Sequence, residues 1–97
     1  MLLSLFMVLS NDSYAALKKV SRFKATASTK SSISLYWDEV AGATGYQVQK
    51  KVGKKYKTIA TKYDVTRTTA TKLSIGTKYN FRIRCFVIKN KIVIFVV

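Results

Sequence analysis

The side chains able to do chemistry in this 97-residue chain are overwhelmingly cationic. Eighteen Lys and Arg stand against four acids, and there is no histidine. Without an imidazole, the usual nucleophile–base–acid triads and most zinc sites are excluded. Glycoside hydrolysis generally needs two facing carboxylates. Asp38 and Glu39 are neighbours at the end of an extended run, so they point apart and suit a loop cap. Asp64 falls in a turn, where a carboxylate can bond backbone amides. Gly42 and Gly45 precede a strand pattern and not a helix, so they do not form a phosphate-binding loop. The single cysteine, Cys85, rules out an intrachain disulfide. It continues the apolar alternation Phe81, Ile83, Cys85 and reads as a small core residue. No catalytic, cofactor-binding or metal-binding set is expected.

Binding remains. A formal net charge of +14 favours anionic partners: nucleic acid, acidic glycan, cell-wall polymer or anionic lipid. The lysines are scattered, which equally suits an ordinary solvated surface. One strand face is more specific. With Tyr79, Phe81, Ile83 and Cys85 inward, period-two alternation turns Asn80, Arg82 and Arg84 outward. On a neighbouring strand, Tyr46 and Val48 inward leave Gln47, Gln49 and Lys51 outward, with Lys55 and Lys57 at the rim. Arg82 and Arg84 could grip carboxylates or phosphates bidentately. A plain solvated antiparallel face is the alternative. No aromatic stacking platform is expected there, so nucleic acid is not an expected partner.

The elements that position these residues are strands. β-branched and aromatic residues alternate with Lys, Ser and Thr, and turn residues recur every eight to twelve positions. The pattern predicts strands at Val20–Ala27, Ser32–Trp37, Gly45–Lys51, Lys55–Ala60, Thr68–Lys72, Lys78–Val87 and Lys91–Val96. Seven short strands so spaced predict an all-β, immunoglobulin-like sandwich of antiparallel strands. The 48% apolar content is enough for a core in one domain, with Trp37 and Tyr79 between the sheets.

The two ends differ from the middle. Met1–Leu9 is an apolar run, followed by small residues at Ser13 and Ala15 that suit a signal-peptidase site. Residues 1–15 are thus expected to be a signal peptide and 16–97 the domain, which makes the protein secreted or surface-borne. No Lys or Arg precedes the apolar run, and the run is too short to span a bilayer. The last strand, Lys91–Val96, loses the polar alternation. A truncated or frameshifted end would explain it, and so exposed a strand is an aggregation hazard.

The middle of the chain resembles a fibronectin type III domain of the kind found in secreted bacterial proteins. The resemblance runs from about Lys18 to Ile88. It is carried by Ile33-Ser34-Leu35-Tyr36-Trp37, by Gly45-Tyr46-Gln47-Val48 eight positions beyond Trp37, and by Leu73 with Gly76-Thr77-Lys78-Tyr79-Asn80-Phe81. It implies that Trp37 and Tyr46 pack the core and Leu73 caps its bottom. It also implies that Tyr79 is a tyrosine corner bonded to backbone near Leu73. The family often places prolines in the first strand and before the Gly-Thr turn; this chain has none. It also lacks an Arg-Gly-Asp loop. The implied role is a non-catalytic spacer or adhesion module. Its partners would be a polysaccharide, an anionic wall polymer or neighbouring domains, and the alternative is a free-standing binder of anionic polymers.

Overall fold

The computed structural model describes residues 17–96. The expected signal segment lies outside them. Seven strands form: β1 Lys24–Ser28, β2 Ile33–Tyr36, β3 Gly45–Val52, β4 Lys55–Lys62, β5 Arg67–Ala70, β6 Phe81–Lys89 and β7 Ile92–Val96. A three-stranded sheet in the order β1-β2-β5 faces a four-stranded sheet in the order β4-β3-β6-β7, and every pairing is antiparallel. The expected seven-stranded sandwich is the observed fold.

The core follows from alternation. Leu35 from β2, Tyr46 and Val48 from β3 and Cys85 from β6 converge on Trp37, which is 0% exposed. Trp37 lies just past β2 and extends its pairing, its amide donating to the Thr66 carbonyl at 3.1 Å. Its ring meets Tyr46 at 5.5 Å and the edge of Phe23 at 6.2 Å.

Several boundaries move from the expected ones, each for a backbone reason. The first strand starts at Lys24 and not Val20, because Arg22 takes φ 55. The fifth stops at Ala70, short of Lys72, which takes φ 59. A non-glycine residue at positive φ cannot continue a strand. The sixth begins at Phe81, since Tyr79 is used in the corner before it. The β3–β4 hairpin closes on Gly53-Lys54, with Gly53 at φ 65 as the first central residue of a two-residue loop. In the β6–β7 hairpin Asn90 and Lys91 are both at positive φ, the twist that favours tight hairpins.

Two tyrosine hydroxyls pin loops to the sandwich. Tyr79 accepts a hydrogen bond from the Ser74 amide at 2.7 Å, and the buried Tyr46 hydroxyl accepts one from the Val40 amide at 2.9 Å. The Ser74 bonds hold the Tyr79 phenol below its ordinary value by favouring the phenolate. Tyr46→Phe strands a buried amide, an expected cost of about 1–3 kcal/mol. Chemical denaturation of the pair of proteins checks this.

Cys85 is sealed in the core and donates its thiol hydrogen to the Lys18 carbonyl at 3.2 Å. Burial pushes the thiol up. Its folded pKa exceeds its unfolded one, so its contribution to stability is intact below the ordinary thiol value of 9.0 and is lost as pH rises past it. A thiol reagent at neutral pH is expected to leave the native protein unmodified and to label one thiol per chain on unfolding. Prompt native labelling would contradict this burial.

Candidate functional site

The outward surface of the four-stranded sheet carries Arg82, Arg84 and Lys51. Register does it: Gln49 lies opposite Arg82 and Gln47 opposite Arg84 across β3–β6, while Lys51 lies opposite Tyr56, and Gln49 opposite Thr58, across β3–β4. A bulge between Val48 and Gln49 then brings Thr61 opposite Gln47. The result is two polar rows across three strands. In one, Arg82 Nε donates to Gln49 Oε1 at 2.7 Å and Gln49 Nε2 donates to Thr58 Oγ1 at 3.1 Å. In the other, Arg84 donates to Gln47 Oε1 from Nε at 3.1 Å and from one Nη at 2.9 Å, and Gln47 Nε2 donates to Thr61 at 3.5 Å.

Each guanidinium also lies on an aromatic ring. The Arg82 plate is 4.0 Å from the centroid of Tyr56 and the Arg84 plate 3.6 Å from that of Phe95. Stacking and hydrogen bonding fix both plates before any partner arrives, so little side-chain entropy is left to lose on binding. They are not equally available. Among the described residues, Arg82 is exposed and has no protein acceptor at either Nη group; Arg84 is half-buried and has none at one of them. End-on, bidentate contact with an oxyanion is therefore open to Arg82.

The structure redistributes the roles expected from sequence. Gln49, although on the outward side, is 6% exposed beneath its row, so it orients Arg82 and is not itself a contact surface. Gln47 is half-buried and does the same for Arg84. Lys51 is exposed, whereas Lys55 and Lys57 flank Tyr56 and turn to the opposite side of β4. Alternation within single strands missed the aromatic partners. Tyr56 and Phe95 sit on the two edge strands, β4 and β7, three positions apart in the sheet, and only cross-strand register places them under arginines. The face is thus richer in aromatics than expected, but the two central rings are already capped by guanidinium.

A second aromatic group closes the far end of this surface. Phe86 points outward yet is 3% exposed, because Tyr63 and Phe95 cover it with centroids 5.8 Å away on either side. It lies directly across from Gly45, where a Cβ would meet Phe86 at 2.7 Å and the Lys62 carbonyl at 2.6 Å.

Of the residues expected to build the core, Trp37 and Tyr46 lie at its centre. Leu73 is buried at the end near the β1–β2 turn, its amide bonded to the Ser31 carbonyl at 2.9 Å. Tyr79 is half-buried beside Phe81, with Lys50 over its ring at 5.4 Å. Asp38 does not cap a loop amide; it pairs with Arg22 at 3.4 Å on the surface. Among the described residues no group of three His, Cys, Asp or Glu side chains could hold a metal ion. No helix among them is long and apolar enough to cross a membrane.

The sandwich agrees with comparisons to other proteins. The family model for the fibronectin type III domain matches residues 18–91. Among solved structures, an Fn3-like protein from Clostridium thermocellum is 30% identical with a TM-score of 0.64, covering 80% of this chain and 82% of that one. The FN3tt domain is 26% identical with a TM-score of 0.66, covering 82% and 87%. A human fibronectin type III domain shares the fold at 13% identity and a TM-score of 0.60, covering 96% and 80%. No curated protein matches at a significant level. With the matched segment running from before β1 to the β6–β7 turn, the chain belongs to the fibronectin type III family.

Proposed function

We propose that this chain is a non-catalytic extracellular module, a spacer and adhesion unit of a secreted or surface protein, that meets an anionic polymer with the outward surface of its four-stranded sheet. The observation that carries the reading is the pair of fixed guanidinium plates. Arg82 and Arg84 are held by Gln49 and Gln47 and backed by Tyr56 and Phe95, and the Nη groups of Arg82 remain open to a partner. No carboxylate belongs to the two polar rows, so nothing within them neutralises these cations. Acidic polysaccharides and anionic wall polymers present repeated oxyanions that suit end-on arginine contacts. The expected secretion of the chain is consistent with such partners.

Retention on immobilised heparin or on isolated cell wall tests the reading. The protein is expected to bind at low ionic strength and to elute as salt screens the contact. Arg82→Gln, which keeps a polar side chain on an exposed site, should elute at clearly lower salt with an unchanged melting temperature. No retention of the parent protein at low salt would sink the proposal.

A further inference from the structure

The cations of this molecule are not spread evenly over its two ends. Residues 50–57 read Lys-Lys-Val-Gly-Lys-Lys-Tyr-Lys, five lysines in eight positions, and they fold back on themselves as the β3–β4 hairpin. Lys78 precedes β6, which begins at the same end: Phe81 pairs with Lys50, and the Lys51 amide bonds the Asn80 carbonyl at 2.9 Å. Arg82 is the next outward residue along β6 and sits over Tyr56 of the hairpin itself. The acids of the described residues lie at the opposite end. Asp38 and Glu39 follow β2 past Tyr36, which pairs with Arg67 at the start of β5; Asp64 follows β4 past Lys62, which pairs with Tyr46 at the start of β3. Glu39 and Asp64 line one cleft there. The hairpin end is therefore cationic without compensation; Lys50, Lys55 and Lys57 lie on the side away from the arginine rows, while Lys51 shares their face and continues it to Lys54 at the turn.

We infer that the lysine hairpin and the arginine rows form one continuous track for a linear acidic polysaccharide, laid from the hairpin tip along β3 and β6. This rests on the proposed role of the sheet surface and extends it: the partner must be a chain several repeat units long, not a single acidic sugar. The distance from Val52 to Gln47 along β3 is about 17 Å at ~3.3 Å per residue. The two halves divide the work by chemistry. Lysines at the exposed tip are hydrated point charges that attract any anion, whereas the fixed arginine plates impose geometry. Two alternative partners fit less well. Single-stranded nucleic acid binds by stacking bases on open rings, and here Tyr56 and Phe95 are occupied by guanidinium groups. A bilayer surface calls for apolar side chains beside the lysines, and the hairpin turn offers Val52 alone.

Titration with size-fractionated heparin oligosaccharides tests the track, using the parent protein, Lys51→Gln/Lys54→Gln and Arg82→Gln. Affinity of the parent should climb with oligosaccharide length and level off once the track is spanned. The double lysine variant should bind long chains about tenfold more weakly. Its plot of log affinity against log salt should be shallower by about one for each lysine in contact. It should also lose the length dependence while retaining the short-chain affinity set by Arg82. Lys51 and Lys54 are exposed, and an unchanged melting temperature confirms that only charge has been altered. If the lysine variant matches the parent while Arg82→Gln is weakened, the track is overturned and the arginine surface alone stands. If a disaccharide binds as tightly as a long chain, the track is likewise overturned. If the parent binds none of the oligosaccharides, both the track and the proposed function fall. Preference for single-stranded DNA or for anionic vesicles over heparin of equal charge would overturn the assignment to a polysaccharide.

Discussion

Trp37→Ala should abolish cooperative unfolding at room temperature. The indole is fully buried and touches both sheets, with Tyr46 on one side and Phe23 on the other. Its truncation leaves a cavity at the centre of the only large apolar cluster among the described residues. Deletions of this size cost about 3–5 kcal/mol. A domain of some eighty residues has about 4–12 kcal/mol in total, at roughly 0.05–0.15 kcal/mol per residue. The variant is expected to lose its near-ultraviolet circular dichroism and to melt without a sharp transition. A sharp melt near the parent temperature would mean that the sheets can close without Trp37. One polar detail bears on the size of the effect: the indole Nε1 has no hydrogen-bond partner among the described residues. The parent already carries that desolvation cost, so part of the apolar loss is offset when the ring is removed.

The second large effect is expected at a residue with no side chain. Gly45→Ala forces a methyl group to within 2.6 Å of the Lys62 carbonyl and 2.7 Å of the Phe86 ring. Phe86 could rotate, but it is held between Tyr63 and Phe95. The Lys62 carbonyl belongs to the strand paired with β3 and can move only if that pairing opens. Overpacking of this kind costs about 1–3 kcal/mol, and the backbone clash places Gly45→Ala at the upper end. For a domain this small, the melting temperature should fall by about 10–20 °C. Adding Phe86→Leu should recover only part of the loss, because it relieves the ring and not the carbonyl. Full recovery in the double variant would show that the ring contact was the whole problem. The same substitution should disturb the outward surface, since Phe86 supports Phe95 and Phe95 supports Arg84. A fall in heparin affinity out of proportion to unfolding would link Gly45 to binding through that chain of contacts.

These two positions illustrate how legible the fold was. Trp37, Tyr46 and Val48 could be placed in the core from residue type and period-two alternation, because each strand has one face toward the other sheet. The tyrosine corner followed from the Gly-Thr-Lys-Tyr spacing through the family resemblance, and the hydroxyl does bond backbone beside Leu73. Gly45 could be read only as a flexible residue at the start of a strand. Its real constraint comes from Phe86, forty-one positions later, and from the β4 backbone on its other side. Strand ends were less legible for a similar reason. The positive φ of Arg22, just before β1, and of Lys72, where the chain crosses from β5 to β6, is set by the path of the backbone and not by their side chains, since lysine and arginine carry no preference for that region.

The sequence by itself determined the class of molecule: a small, histidine-free, strongly cationic sandwich whose inward and outward residues alternate along each strand. That information is local, because alternation and turn chemistry act over a few residues. The tertiary structure alone decided which outward residues meet. Register across β4, β3, β6 and β7 set Arg82 over Tyr56 and Arg84 over Phe95, and sank Gln49 beneath its own row. A shift of one residue in any pairing would exchange the two faces of a strand, so the recognition surface exists only once the sheet has closed.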